Sequence, residues 1–264
     1  MTSPVLYTQT GTVATITLNR PGTHNAFDAE LIRDLDEALA GLQATKPRAL
    51  ILTGAGATFS AGADLNWMRD MTQASEHDNF DDAMALARCL RRLNNLSFPT
   101  IARINGSAYG GGVGLAACCD IAVSVDSAKF CLSEVKLGLV PAVISPYVIA
   151  AIGARQARRY FLSAEVFEAP AAKAIGLVHE CVPAGELDDT VDRIVYWLGK
   201  GGPLALAEAK QLVREYSHAE TDLQMENQDK ANALLIAALR VGKEGQEGLG
   251  AFLEKRPAAW IKAE

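Results

Sequence analysis

Two glycine-bearing loops, each between a strand-like run and a helix start, constrain the fold of this chain most strongly. The first loop, residues 61–64, follows the apolar run at 49–53, and the second, residues 110–112, follows the run at 100–104. A loop that opens a helix presents unpaired backbone N–H groups and the positive end of the helix dipole. Two such loops brought together would bind one oxygen atom from two sides, as an oxyanion on a polarised carbonyl requires.

The first half of the chain alternates strand-like and helix-like segments. Residues 13–18 alternate threonine with apolar side chains, as a strand does. Asp28 is placed to cap a helix that runs to about residue 44 and carries leucines at helical spacing. Residues 75–96 read as a second amphipathic helix, which ends before Pro99. This alternation indicates β-α-β units with mostly parallel strands.

From residue 145 onward the pattern becomes predominantly helical, apart from a short apolar run near Val178. The spacing of apolar residues predicts helices at 145–163, 186–199, 203–216 and 220–240. We therefore expect an α/β fold in two parts. Residues 1–200 form a β/α core, and residues 201–264 form a helical region that folds back or packs on a neighbouring subunit.

Composition and charge argue against several classes of protein. The net charge is −6, whereas a protein that binds nucleic acid normally carries a basic face. No apolar run approaches the ~20 residues that cross a bilayer, and the first residues do not resemble a secretory signal. The five cysteines form no CxxC pair, and the four histidines lack metal-ligand spacing. We expect a cytoplasmic protein with no metal, no nucleic-acid partner and no membrane partner.

The glycine loops do not match the common nucleotide-binding motifs. A GxGxxG motif that starts at Gly54 would need glycine in place of Phe59, and one that starts at Gly110 would need it in place of Leu115. The chain also contains no GxxxxGK[ST] phosphate loop and no GxSxG nucleophile motif. Nucleotide hydrolysis and serine hydrolysis therefore have little support.

Glu134 is the candidate acid or base. A loop glutamate is usually solvated, but apolar residues at 130–132 and 137–141 flank this one. Apolar surroundings raise the pKa of a carboxylate, which suits proton transfer near neutral pH. The triplet at 110–112 has an alternative interpretation, a tight turn that packs a strand on a helix. That interpretation does not account for the second loop at 61–64.

The order and spacing of short motifs along nearly the whole chain resemble the crotonase, or enoyl-CoA hydratase/isomerase, superfamily. These motifs lie at residues 19–21, 25–27, 59–65, 104–106, 110–112, 119–121, 133–141, 174–178 and 247–256. The resemblance implies a spiral of β-β-α repeats with a helical C-terminal region. It also implies a homotrimer or a dimer of trimers that takes an acyl-coenzyme A thioester as substrate and holds no permanent cofactor.

The resemblance also implies roles for individual residues. The Ala63 and Gly111 amides would form the oxyanion hole, with Glu134 as the catalytic acid/base, and Trp67 and Met68 would approach the acyl chain. The other residues implied to bind substrate or coenzyme A are Ala26, Ala61, Gly62, Asp64, Leu65, Gly110, Gly114, Val140, Pro141, Phe252 and Lys255. The last two would lie at the nucleotide end, where the C-terminal region 201–264 completes the site and supports trimerisation.

One position departs from the pattern of the two-glutamate hydratases in this superfamily. These enzymes place one glutamate two residues after the glycine triplet and another about twenty residues later. In this chain the first position is Gly114, and the second is retained as Glu134. Hydration needs water activation at C3 and protonation at C2, so one carboxylate must do both in turn or receive help from a substrate carboxylate or another side chain. Moving a double bond needs only one base.

Residues 132–146 and 63–68 resemble the bacterial branch that acts on methylglutaconyl-CoA or isohexenylglutaconyl-CoA. We therefore expect a hydratase for a branched, α,β-unsaturated acyl-CoA. The alternative is an enoyl-CoA isomerase with Glu134 as its only base. The third hypothesis is a non-catalytic crotonase-like binding protein. The retained Glu134 and both glycine loops argue against this hypothesis.

Overall fold

A six-stranded sheet lies at the centre of the structure, which is a computed structural model that describes residues 3–217 and 222–261. The strands in this part of the chain are β1 (Val5–Thr10), β2 (Val13–Leu18), β3 (Ala49–Gly54), β4 (Thr100–Ile104), β5 (Ala108–Tyr109), β6 (Ile121–Val125), β7 (Lys129–Cys131), β8 (Phe167–Glu168) and β9 (Glu180–Val182). The central sheet has the order β1-β2-β3-β4-β6-β9, and β5, β7 and β8 form a second sheet.

The central sheet is parallel from β2 to β9, and β1 pairs with β2 in the antiparallel direction. The strand expected at 13–18 is β2. Its Ala14, Ile16 and Leu18 are fully buried, whereas the residues between them are half-buried. This period of two follows from the alternation of strand side chains between the two faces of a sheet. The prediction of an α/β fold with mostly parallel strands is therefore confirmed.

The helices of the described residues surround the sheets. They are α1 (Ala29–Thr45), α2 (Leu65–Gln73), α3 (Glu76–Asn94), α4 (Gly111–Cys118), α5 (Ser145–Ser163), α6 (Ala169–Ala174), α7 (Leu187–Lys200), α8 (Pro203–Tyr216), α9 (Asp222–Val241) and α10 (Lys243–Leu253). The helices predicted at 186–199 and 203–216 are confirmed as α7 and α8. The helix predicted at 145–163 is α5, which is interrupted by a kink at Gly153, where φ is +74°. The start of the helix predicted at 220–240 falls partly on residues 220 and 221, which lie outside the described residues.

The cap expected at Asp28 is present. Its Oδ1 accepts a hydrogen bond from the Leu31 amide at 2.8 Å, which satisfies one of the free donors of the first helical turn. Helix α3 begins with a reciprocal cap between Ser75 and Asp78. These local contacts explain why both helix starts are readable from the sequence.

The C-terminal helices do not all pack in the same way. Helix α9 packs along α3 of its own chain, and α10 contacts α9, α2 and the 3₁₀ turn Glu134–Leu137. Helix α8, in contrast, buries none of its residues. Two helices of this region therefore complete the core, while a third remains on the surface. Within the described residues, no helix combines the length and the apolar character that a membrane crossing requires.

Candidate active site

The two glycine loops meet backbone to backbone. Ser60 forms an isolated parallel bridge with Ala108, and its carbonyl accepts a hydrogen bond from the Tyr109 amide at 2.9 Å. Gly62 has φ +82°, in the left-handed region that favours glycine, and a Cβ there would lie 2.9 Å from the Tyr109 carbonyl oxygen. The glycine is therefore needed for both the turn and the close approach of the loops.

The amides of Ala63 and Gly111 are available as donors. Phe27 donates to the Gly62 carbonyl at 2.6 Å, and its own carbonyl accepts from the Asp64 amide at 2.8 Å. This pairing leaves the Ala63 N–H directed away from Phe27. Gly111 is the first residue of α4, where a helix leaves its amides unpaired. Across residues 3–217 and 222–261, neither amide has a hydrogen-bond acceptor.

Glu134 lies in the 3₁₀ turn that follows β7. Its Oε2 is buried and has no hydrogen-bond partner within the described part of the chain. Its Oε1 would lie 3.2 Å from a Cβ placed on Gly110, so the carboxyl group directly faces the second glycine loop. Burial raises the pKa of Glu134 from 4.5 to about 7, although its own backbone N–H opposes the shift. A carboxyl group with such a pKa can both accept and donate a proton near neutral pH.

Helix α10 holds the turn that carries Glu134. Gly138 ends the turn with φ +68°, and a Cβ at this residue would collide with the carbonyl oxygen of Glu244 in α10. A Cβ on Gly248 of α10 would likewise collide with the Leu137 backbone. Both glycines permit a close contact between helix and turn, so the C-terminal region supports the position of the candidate acid.

Most of the predicted site residues line one cavity of about 800 Å³. Those that line it are Ala26, Ala61, Gly62, Ala63, Asp64, Leu65, Trp67, Met68, Gly110, Gly111, Glu134, Val140, Pro141 and Phe252. The walls come from both glycine loops, from α2 and α3, and from the C-terminal helices α9 and α10. Among the described residues, no cluster of three or more His, Cys, Asp or Glu side chains is arranged to hold a metal ion.

Asp64 lines the cavity but also has a local role. Its Oδ1 accepts from the Asn66 amide at 2.8 Å and so caps α2. Its Oδ2 lies 3.3 Å from an Arg20 guanidinium nitrogen. Because both oxygens already have donors, Asp64 fixes the start of α2 beside the first loop.

Gly114 and Lys255 are not among the residues that line the cavity. Lys255 is exposed in the turn after α10. Gly114 lies inside α4 and faces Ile144, where a Cβ would collide with Ile144 Cγ2 and lie 2.9 Å from Ile144 Cβ. Ile144 is itself a cavity residue and is 2% exposed. Its side chain fills the space beside Gly114, so a larger residue at position 114 requires Ile144 to move.

A polar group in the cavity wall was missed by the sequence analysis. Trp67 Nε1 donates to Asp82 Oδ1 at 3.1 Å, and Arg240 Nη1 donates to Asp82 Oδ2 at 2.9 Å. All three residues line the cavity. The sequence shows only that the helical spacing places Asp82 on the same face as Asn79 and Leu86. The arginine comes from α9, far along the chain, and no local pattern connects it to Asp82.

Comparison with known proteins agrees with this fold. The sequence model of the family described as Enoyl-CoA hydratase/isomerase matches residues 8–263. A crystal structure of an enoyl-CoA hydratase from Shewanella pealeana is 40% identical, with a TM-score of 0.79, and the alignment covers 97% of this chain and 96% of that one. The chain belongs to the enoyl-CoA hydratase/isomerase family of the crotonase superfamily, and it is an enzyme of the enoyl-CoA hydratase class.

Two curated relatives cover almost the full length of the chain. The short-chain-enoyl-CoA hydratase of Clostridium acetobutylicum is 30% identical over 98% of this chain and 97% of its own length. The 2,3-dehydroadipyl-CoA hydratase of Escherichia coli is 31% identical over 92% of this chain and 93% of its own length. The names of these relatives share the hydratase reaction but differ in the acyl group.

Proposed function

We propose that this enzyme adds water to an α,β-unsaturated acyl-CoA with Glu134 as its single acid/base. The observation that carries the proposal is the buried, unpartnered Oε2 of Glu134, with its carboxyl group beside the second glycine loop. A buried polar atom without a partner is costly unless a ligand or substrate supplies one. Here the reacting water supplies that partner, and carbon C2 of the acyl chain later receives the proton.

In this mechanism the thioester oxygen accepts hydrogen bonds from the Ala63 and Gly111 amides. The carboxylate of Glu134 takes a proton from water, and the water oxygen forms a bond to C3. The electron pair of the C2–C3 double bond moves toward the thioester, where the two amides stabilise the enolate. Each such donor contributes about 3–4 kcal/mol to the stability of an oxyanionic transition state. Glu134 then delivers its proton to C2, which completes the addition of one water molecule.

The packing of Ile144 against Gly114 supports a one-acid reaction. Because Ile144 fills the space beside Gly114, the position of the missing glutamate is occupied by an apolar side chain. The same observation favours a second candidate function, the movement of a double bond. In that reaction Glu134 removes a proton from one carbon of the acyl chain and returns it to another, with no water added.

The proposed substrate is a branched acyl-CoA similar to methylglutaconyl-CoA. The support is the resemblance of residues 132–146 and 63–68 to the bacterial enzymes that act on such substrates. The E. coli relative provides independent support, since the acyl group in its name also carries a second carboxyl group. The predominantly apolar cavity has room for a branched chain.

The reaction can be identified by mass spectrometry in labelled water. The enzyme is incubated with methylglutaconyl-CoA, crotonyl-CoA and a 3-enoyl-CoA, in ¹⁸O water and separately in deuterium oxide. A hydratase incorporates one ¹⁸O atom and one deuterium, whereas an isomerase incorporates deuterium without oxygen. Turnover of methylglutaconyl-CoA with a kcat/KM above that of crotonyl-CoA supports the proposed substrate. No incorporation, together with no shift of the double bond detected by ultraviolet absorbance, would overturn both candidate reactions.

We propose that the chain assembles as a homotrimer or a dimer of trimers. The support from the structure is helix α8, which exposes Leu204, Val213 and Tyr216 by 70% or more. Exposed apolar side chains grouped on one element are typical of an interface. Light scattering after size-exclusion chromatography should give three or six times the chain mass, and a monomer mass would contradict the proposal.

A further inference from the structure

The cavity wall formed by α2, α3 and α9 contains a largely buried ion pair between Arg240 and Asp82, the Arg240–Asp82 pair. The arginine side chain is 14% exposed and the aspartate side chain 11%. The cavity residues around the pair are mainly apolar and include Met71, Ala83 and Ile236. A buried ion pair seldom stabilises a fold more than apolar residues of the same volume would. Its presence in an apolar wall therefore points toward a role in binding.

Arg240 retains unused donors. Its Nη1 donates to Asp82 at 2.9 Å and to the Asn79 side chain at 3.3 Å. Its Nε and Nη2 donate to no acceptor in the part of the chain that the structure describes. Neither nitrogen is among the buried atoms that lack a partner, so both retain some exposed surface. Since the residue lines the cavity, these nitrogens remain accessible to a ligand there.

A second arginine–aspartate pair gives the contrast. Arg92 uses two nitrogens on Asp36, with Nε to Oδ1 at 2.7 Å and Nη2 to Oδ2 at 3.3 Å. This pair is not part of the cavity wall. Arg92 thus uses two guanidinium nitrogens to bind the Asp36 carboxylate. Arg240 binds Asp82 through one nitrogen, and its other two nitrogens remain free.

The guanidinium of Arg240 is held in a fixed orientation. Its central carbon lies 5.5 Å from the centre of the Trp67 ring, within the range of a cation–π contact. The backbone of Arg240 is held as well, since its carbonyl accepts a hydrogen bond from the Gln246 side chain at 2.8 Å, and the same side-chain amide donates to the Thr72 carbonyl in α2 at 3.1 Å. A donor group held in this way loses little side-chain entropy when it binds a planar anion.

We propose that Arg240 binds a carboxylate at the far end of the acyl chain, which makes the substrate class an enoyl-CoA with a second carboxyl group. The proposal rests on the function proposed above and names the residue that selects the substrate. Guanidinium and carboxylate groups match in shape and form two parallel hydrogen bonds. An acyl chain that ends in a methyl group would leave these donors unpaired, which is the strongest basis for discrimination between substrates.

The test compares two substrates of equal length, trans-2-hexenedioyl-CoA and trans-2-hexenoyl-CoA. We expect the native enzyme to favour the dicarboxylic substrate by about tenfold or more in kcat/KM. The double variant Arg240→Met/Asp82→Asn removes both charges together, so that no charge is left unpaired, and should bring the ratio close to one. Arg92→Met, the matched control outside the cavity, should keep the native ratio.

Asp82→Asn alone should change the substrate preference in the opposite direction to the double variant. It removes the anion that competes for Arg240 and should raise the preference for the dicarboxylic substrate above the native value. Calorimetric binding of the saturated compounds adipoyl-CoA and hexanoyl-CoA tests Arg240 independently of turnover, and it also serves if the double variant is poorly folded.

The outcomes separate this inference from the proposed function. Equal or weaker use of the dicarboxylic substrate by the native enzyme, or a ratio unchanged in the double variant, would overturn the role of Arg240. Hydration of trans-2-hexenoyl-CoA would still support the proposed reaction in that case. If neither substrate incorporates oxygen but adipoyl-CoA binds through Arg240, the proposed hydration is overturned and the proposed carboxylate site is supported.

Discussion

Two carboxyl groups in one cavity have opposite surroundings. Glu134 has an oxygen without any donor within the described residues, and it lies beside free backbone amides. Asp82, in the helical part of the cavity wall, receives hydrogen bonds from Trp67 and Arg240. Burial raises the pKa of both carboxyl groups, but Arg240 and Trp67 oppose the shift at Asp82, whereas only its own backbone amide does so at Glu134.

The number of hydrogen-bond donors around a buried carboxyl group determines what that group can do. A carboxylate with its donors in place is held in one position by them. A carboxylate without them is costly to bury but free to exchange a proton. We therefore propose that the cavity holds a reactive group, Glu134, and a recognition group, the Arg240–Asp82 pair.

The largest effect is expected from Glu134→Gln. The amide has the same shape but cannot take a proton, so kcat should fall by roughly 10³-fold while acyl-CoA binding remains. Turnover is measured by absorbance and binding by calorimetry. Glu165→Gln, at an exposed glutamate paired with Arg159 outside the cavity, is the control and should keep native turnover. Native turnover in the Glu134→Gln variant would show that the base is a different group.

Gly62→Ala should have the next largest effect. The new Cβ would lie 2.9 Å from the Tyr109 carbonyl and force the two loops apart. Because this displaces the Ala63 amide relative to Gly111, we expect a loss of about 10²-fold in kcat/KM. Gly56→Ala, at a similar φ of +74° outside the cavity, should reproduce the backbone strain without the kinetic loss. Equal kinetic losses in both variants would mean that strain alone explains the effect.

The two acids are distinguished by how the substitution of each changes stability in alkaline solution. The folded-state pKa of Glu134, about 7, lies above its ordinary value of 4.5, so the folded state binds this proton more tightly. Stability is therefore lost as pH rises from 4.5 through 7. At a pH of about 8.5, Glu134→Gln should raise the free energy of unfolding by ~2–3 kcal/mol, and at a pH of about 4 it should change it little.

Asp82→Asn should give no such gain in alkaline solution, because it leaves Arg240 without its carboxylate. Denaturant unfolding at both pH values measures the two variants side by side. Stabilisation by both substitutions would remove the proposed distinction between the reactive group and the recognition group.

The smallest effect is expected from Gly114→Ala. Its Cβ collides with Ile144, and overpacking of this kind costs about 1–3 kcal/mol of stability. The cost should be smaller in an Ile144→Ala background, since this change removes the closer of the two contacts. Gly41→Ala in α1 is the matched control, because its Cβ meets open space and should stabilise the helix slightly. A tolerated Gly114→Ala would mean that Ile144 moves freely.

Several elements were predictable because their causes are local. The Asp28 cap, the leucines of α1 and the alternation in β2 depend on neighbours within a few residues. Strand β1 was missed because it lies at the edge of the sheet and buries only its first residue, so no alternation is visible. Helix α6 was missed because it has only six residues and leaves little periodic signal.

The site was predictable in part for the same reason. Loops 61–64 and 110–112 carry their glycines in the sequence, and Glu134 lies within a visibly apolar segment. The contact of Gly114 with Ile144 and the contact of Asp82 with Arg240 join distant segments. Such contacts depend on tertiary packing, which a single sequence does not display.

The contact of α10 with the Glu134 turn has a consequence for biosynthesis. The helix that braces this turn is synthesised after both sheets and after every other helix of the described residues. The central sheet can therefore form while the brace is still inside the ribosome. A nascent chain in that state lacks one side of the pocket around its acid, and full activity should begin only once α10 has emerged and docked.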